Sequence, residues 1–223
     1  MTASSPALNT DSLAAVRAAG VLAVVRAPSP ESALAAADAL LAGGITGIEV
    51  TYSTPDAAAV IAELVRRHGD AAYVGAGTVT TPAQAAEAAG AGARFLVSPG
   101  TLAPLTQAMR ATGVTVMTGA LTPSEVMHAV ELGVDVVKVF PASLGGPSYL
   151  AALRGPFPDV ALMPTGGVSP DNLAAWFSAG AIAAGAGGDL LPSAALASGD
   201  MAEITRRALQ FSAALAAVRG VVA

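Results

Sequence analysis

Val114-Thr115-Val116-Met117-Thr118-Gly119-Ala120 is followed by Leu121-Thr122-Pro123-Ser124-Glu125-Val126-Met127-His128-Ala129-Val130-Glu131-Leu132-Gly133, and that by Val134-Asp135-Val136-Val137-Lys138-Val139-Phe140-Pro141-Ala142. The outer runs are short, apolar and β-branched, as in strands covered on both faces. The middle run opens on Pro123 behind Thr122, a first-turn proline behind a capping hydroxyl, and closes on Gly133. Strand, helix and strand therefore follow one another within 29 residues, 114–142. That is a βαβ unit, whose two strands lie parallel in one sheet.

The same alternation runs outward in both directions. Strands are predicted at 21–27, 47–52, 73–78, 95–100, 114–120, 136–142, 161–167 and 182–187. Helix starts are marked by Pro30, Pro55, Pro82, Pro104, Pro123, Pro147 and Pro170, and helix ends by Gly43-Gly44, Gly69, Gly90, Gly113, Gly133 and Gly180. Eight regular units of about 25 residues predict a closed (β/α)8 barrel, a TIM barrel, rather than a doubly wound sheet. No Gly-x-Gly-x-x-Gly follows the first strand, which disfavours a dinucleotide site. Residues 8–19 are predicted as an extra N-terminal helix plugging the barrel's bottom, and 200–217 as a closing C-terminal helix. With no linker or second composition, 1–223 is expected to be a single domain.

Composition removes whole classes of chemistry. The 223 residues contain no cysteine, so disulfides, thiolate metal sites and a thiol nucleophile are excluded. The two histidines, His68 and His128, have no metal-ligand spacing and are expected at the surface; no metal site and no cofactor is predicted. No Gly-x-Ser-x-Gly elbow is present. The formal charge of −5 comes from scattered residues, which argues against nucleic acid. The start of the chain lacks a signal-peptide pattern and no apolar run is long enough to span a bilayer, so the expectation is a cytoplasmic protein without membrane contact.

What remains is lysine and carboxylate. Ten of the eleven basic residues are arginine and the eleventh is Lys138. Strand alternation puts Lys138 and Phe140 on one face, and the barrel interior is the face expected. Burial there disfavours an ammonium, and a neutral amine is what attack on a ketone requires. The competing reading, a lysine blunting a sheet edge, fits poorly with a barrel that has no edge. Glu49 on the second strand is a candidate proton shuttle, or alternatively a structural ion-pair partner of Arg26 or Lys138. Arg26 suits a carboxylate or phosphate, or an inter-strand salt bridge. Thr78 is either a carboxylate ligand or a helix cap. Gly166-Gly167 and Gly187-Gly188 fall in the two loops that bind phosphate in many barrels, unless they only make tight turns.

Several stretches, in order, resemble the 2-keto-3-deoxy-6-phosphogluconate (KDPG) and 4-hydroxy-2-oxoglutarate aldolases, with the related phosphogalactonate enzymes, over about residues 21–191. They are Gly47-Ile48-Glu49-Val50-Thr51, Val74-Gly75-Ala76-Gly77-Thr78-Val79, Phe95-Leu96-Val97-Ser98-Pro99-Gly100, Val137-Lys138-Val139-Phe140-Pro141-Ala142, Gly155-Pro156-Phe157-Pro158 and Pro164-Thr165-Gly166-Gly167-Val168. The resemblance implies a homotrimeric class I aldolase in which Lys138 forms the imine and Glu49 is the general acid/base. Thr78 and Pro99 then help hold pyruvate, Phe140 lines the pocket, and Gly166 and Gly167 help bind a distal phosphate. Two positions depart from the pattern. Ser53 stands where a common version has arginine, with Arg26 on the first strand as in other members, and Gly188 replaces a serine beside Asp189. Two other readings compete: a metal-dependent pyruvate aldolase with Glu49 as a Mg²⁺ ligand, and a non-catalytic phosphate-binding barrel with Lys138 as a fixed cation.

Overall fold

Eight strands appear in the computed structural model, which describes residues 10–220: β1 (Val21–Val25), β2 (Gly47–Thr51), β3 (Tyr73–Gly77), β4 (Phe95–Val97), β5 (Thr115–Ala120), β6 (Val136–Val139), β7 (Leu162–Pro164) and β8 (Ala184–Ala186). Their order is β7-β6-β5-β4-β3-β2-β1-β8 and every neighbouring pair is parallel. A parallel bridge between Thr165 and Gly185 links the two ends of that order. The sheet is thus a (β/α)8 barrel, as predicted.

The helices are α1 (Thr10–Ala19), α2 (Pro30–Ala42), α3 (Ala57–His68), α4 (Pro82–Gly90), α5 (Ala103–Ala111), α6 (Pro123–Glu131), α7 (Gly146–Arg154), α8 (Leu173–Ser178), α9 (Ser193–Ser198) and α10 (Met201–Val218). Local chemistry starts several of them. Ser29 caps α2, and Thr81 and Thr122 form capping boxes with Gln84 and Glu125 at α4 and α6, each with proline in the first turn.

The differences from expectation lie at element ends. Most strands stop one to three residues early, because past the ladder the chain turns outward to begin the next helix. Pro55 does not open α3; it precedes Asp56, a left-handed residue with φ of 51°, and the helix begins at Ala57. Pro170 opens a 3-10 turn, Pro170–Asn172, and the short α8 follows. A six-residue helix, α9, was not foreseen. Residues 8 and 9 of the predicted N-terminal helix, like 1–7 and 221–223, lie outside the described residues.

Alternation divides the strand side chains between two cores. Outward residues such as Ala23, Val25, Ile48, Val50, Val137 and Val139 pack beneath the helices. Inward residues Leu22, Tyr73, Phe95, Met117, Val136 and Met163 fill the lower barrel, where Val16 and Leu13 of α1 join them as the predicted plug. The bottom of the tube is therefore solid, and reactive groups are left to the end where the strands finish. Among the described residues no helix is long and apolar enough to cross a membrane.

Candidate active site

Lys138 occupies an inward position on β6, in register with Gly119 on β5 and Met163 on β7. Glu49 occupies an inward position on β2, between Val24 of β1 and Gly75 of β3. The curvature of the barrel brings these distant strands face to face: Lys138 Nζ lies 3.8 Å from Glu49 Oε1, with the two side chains 7% and 0% exposed. That separation is too long for a hydrogen bond. Both carboxylate oxygens of Glu49 are buried with no hydrogen-bond partner. A buried carboxylate without donors is costly, so the arrangement suits a site whose missing partner arrives with the substrate.

Glycines make room for this pair. A Cβ at Gly77 would strike the Glu49 carboxylate, and one at Gly119, beside Lys138, would strike the Pro99 carbonyl. Below the pair, Gly75 leaves its space to the Phe95 ring. Small residues on β3 and β5 are thus what allow a long acid and a long amine to meet inside the tube.

Above the amine, Lys138 Nζ stands 5.2 Å from the centroid of the Phe140 ring. Phe140 is 39% exposed and forms one wall of a hollow of about 360 Å³. Val24 and Arg26 supply the β1 side, the turn 165–168 the β7 side, and the turn 187–189 with Ser193 and Leu196 the β8 side. Six expected substrate residues meet here: Arg26, Phe140, Gly166, Gly167, Gly187 and Gly188. Gly166 and Gly167 have φ of 96° and 74°, which only glycine adopts without strain.

Arg26 lies one residue past β1, is exposed, and makes no ion pair with Glu49. The inter-strand salt bridge considered for it is therefore not formed. Thr78 and Pro99 stand on the other side of the barrel mouth, after β3 and β4, outside the wall of this hollow. Thr78 is half-buried with φ of 53°, a strained conformation for a β-branched residue. Among the described residues no three His, Asp or Glu side chains converge to hold a metal ion.

Among the wall residues outside the expected set, two carry hydroxyls, Thr165 and Ser193. Thr165 is buried, yet its hydroxyl has no partner. Its inward position follows from alternation with Met163, so the signal was present. Ser193 enters from α9, which the sequence did not announce. The histidines sit away from this mouth: His68 pairs with Asp38 at 2.9 Å and His128 lies 3.6 Å from Glu131.

The family description "KDPG and KHG aldolase" matches residues 13–207. The 2-dehydro-3-deoxy-phosphogluconate aldolase of Pseudoalteromonas atlantica is 40% identical over 82% of this chain and 85% of its own. The KDPG aldolase of Legionella pneumophila, solved with pyruvate captured as a covalent carbinolamine intermediate, superposes with a TM-score of 0.83 at 35% identity, covering 90% of this chain and 98% of that one. A cube-shaped protein cage designed by fusing symmetric oligomeric domains contains a similar chain, with a TM-score of 0.84 and 32% identity over 90% of this chain and 73% of that one. The chain belongs to the KDPG and KHG aldolase family.

Proposed function

We propose that Lys138 forms a Schiff base with a 4-hydroxy-2-keto acid, such as 2-keto-3-deoxy-6-phosphogluconate or a close analogue, and that the chain splits it reversibly into pyruvate and an aldehyde. The observation that carries this reading is the only lysine of the chain, buried 3.8 Å from a carboxylate whose oxygens lack any other partner. Lys138 passes a proton to Glu49 and attacks C2 as the neutral amine; the carbinolamine hydroxyl enters the gap beside Glu49, which gives the proton to it as water leaves. Glu49, again a carboxylate, then takes the C4 hydroxyl proton, to return it later at C3, while the C3–C4 electron pair moves into the iminium, releasing the aldehyde and leaving an enamine. Protonation at C3 and hydrolysis of the imine return pyruvate and the free lysine.

The remaining groups bind. Thr78 and Pro99, after β3 and β4, hold the pyruvate end of the substrate, and Arg26 on the β1 side offers a planar pair of donors to a carboxylate or phosphate. Phe140 covers the imine, and the glycine turns at 166–167 and 187–188 let backbone N–H groups approach the tail of the substrate. The reaction calls for no cofactor. A Mg²⁺-dependent route through Glu49 has little support, because the nearest charged group to that carboxylate is a lysine rather than a second acid.

Borohydride reduction in the presence of pyruvate tests the reading. A pyruvate-derived mass is expected on the peptide carrying Lys138, and none in Lys138→Met, which also loses pyruvate release. Turnover surviving in Lys138→Met, or a chelator abolishing it in the parent chain, overturns the proposal; a phosphate-binding barrel without catalysis gives no adduct at all.

Residues 1–223 act as one domain in this reading, supported by one continuous sheet and by α10 packing against α2 from the opposite end of the chain. The active form is a homotrimer. Apolar side chains left exposed on successive barrel units, Leu102, Met127, Val130 and Leu144, support association, as does the symmetric oligomer in the related cage. The setting is cytoplasmic, in keeping with a water-soluble acid as substrate.

A further inference from the structure

Arg26 reaches the hollow from a backbone position just beyond its strand, and it is exposed. Among the described residues no ion pair or hydrogen bond holds its guanidinium. The paired arginines of α3 and α10 differ: Arg66, Arg67, Arg206 and Arg207 are each gripped by a glutamate. With nothing fixing its tip, the direction of the Arg26 side chain is set at its root, by the two peptide groups on either side of its Cα.

Both of those peptide groups are held, and not by the sheet. The ladder between β1 and β2 ends at the pair Val25 and Val50. Past it, hydroxyls from the end of β2 and the turn after it take over. Thr51 Oγ1 donates to the Val25 carbonyl at 3.0 Å, in the peptide preceding Arg26. Thr54 Oγ1 accepts from the Ala27 N–H at 3.1 Å, in the peptide following Arg26, and donates to the Val25 carbonyl at 3.4 Å. Thr54 therefore spans Arg26 from one flanking peptide to the other. Its turn is closed by the Thr54 N–H on the Thr51 carbonyl at 2.9 Å, which folds the Thr54 side chain back over the end of β1. Thr51 and Thr54 are 0% and 2% exposed, so water does not compete for these bonds.

We propose that Thr54, supported by Thr51, is a positioning residue for Arg26: it sets the backbone from which the guanidinium presents its planar donors to the anionic group of the substrate. The inference rests on the anion-binding role given to Arg26 above. A guanidinium fork grips an oxyanion well only when its plane is aimed, and a root free to swivel loses affinity to the entropy of ordering it on binding. Valine at position 54 keeps the branched shape but removes both hydrogen bonds and leaves the buried Ala27 N–H without its acceptor.

The test is a double-mutant cycle read in KM for pyruvate release from 2-keto-3-deoxy-6-phosphogluconate. Arg26→Gln is expected to raise KM by about tenfold or more, through loss of a charged hydrogen bond. Thr54→Val is expected to raise it by about three- to tenfold with kcat little changed, and Thr54→Ser, which keeps the hydroxyl, to stay near the parent. In the Arg26→Gln background Thr54→Val is expected to add no further rise, because no guanidinium is left to aim. A purely structural role lowers the urea midpoint in both backgrounds without making the KM effect depend on Arg26. KM unmoved by Arg26→Gln or by Thr54→Val, an equal rise from Thr54→Val in both backgrounds, Thr54→Ser as impaired as Thr54→Val, or no turnover of this acid by the parent overturns the inference. Where Thr54→Val does not fold, Thr51→Val, which removes the bond to the same carbonyl, enters the cycle with the same outcomes. Borohydride trapping with pyruvate keeps the claims apart: an adduct on Lys138 beside any of those outcomes defeats the positioning claim and leaves the Schiff base standing, and the absence of an adduct defeats the aldolase reading.

Discussion

Glu49 is a carboxylate enclosed by the barrel, with no hydrogen-bond donor and a single amine 3.8 Å away. Such a group persists in a stable fold only where the surrounding packing holds it. Replacing it with glutamine keeps the shape and removes the proton carrier. In Glu49→Gln, kcat for pyruvate release is expected to fall by about 10² to 10⁴, the usual contribution of a positioned acid or base. Slow borohydride trapping at Lys138 is expected to persist, because the amine remains. Unchanged kcat in that variant means another group moves the proton. The side chains themselves were legible: a lone lysine and a glutamate, each on the inward parity of its strand, follow from period-two alternation. The inward position of Thr165 follows from the same parity, though not its lack of a hydrogen-bond partner. That Thr78 and Pro99 lie apart from the hollow does not, because it depends on where each chain segment leaves its strand.

Among elements, the turns and caps carry local signals that the helices obey. Thr122 accepts a hydrogen bond from the Glu125 N–H, and Glu125 reaches back to the Thr122 N–H at 2.7 Å. Thr122→Ala is expected to lower unfolding stability by about 1 kcal/mol, read by urea titration, while leaving kcat/KM unchanged. Gly119→Ala contrasts with it. The added methyl has no free space beside the Pro99 carbonyl, so β4 and β5 must part. A loss of about 1–3 kcal/mol is expected, accompanied by reduced turnover because Lys138 pairs with Gly119 across the ladder. Equal activity in Gly119→Ala and the parent contradicts the tight packing described for the site. Proline and glycine thus marked where most helices begin and end, but Pro55 and Pro170 misled by two and three residues. At those points a left-handed Asp56 and a 3-10 turn absorb the change of direction, and a pattern of residue types does not encode which of these a turn will use.

On the scale of the whole molecule, surface charge is arranged as paired grips. Glu63 is held by Arg66 and Arg67, and Glu203 by Arg206 and Arg207, one turn apart on α3 and α10. Hydrogen bonds from those guanidinium groups pull both carboxyls from an ordinary 4.5 down to about 2. A carboxyl depressed in the folded chain favours folding above its unfolded value, and that contribution is lost as pH falls through the folded one. Acid unfolding is therefore expected to be steeper between 4.5 and about 2 for the parent than for a Glu63→Gln, Glu203→Gln double variant. Since all these groups are at the surface, the difference is expected to shrink in high salt, which circular dichroism across a pH series will show.

The sequence by itself determined the eight alternating units, the barrel they close into, and the pair of reactive residues on β2 and β6. Those features are periodic or compositional: strand alternation, helix punctuation and the scarcity of lysine are all written in neighbouring residues. Only the tertiary structure decided that Glu49 lacks every partner but one, that Arg26 sits exposed just past its strand, and that Asp189 and Ser193 join the wall beside Thr165. Each of those facts is a distance between segments far apart in the chain, set by how a closed barrel curves and how its loops fold back, and no local pattern records it.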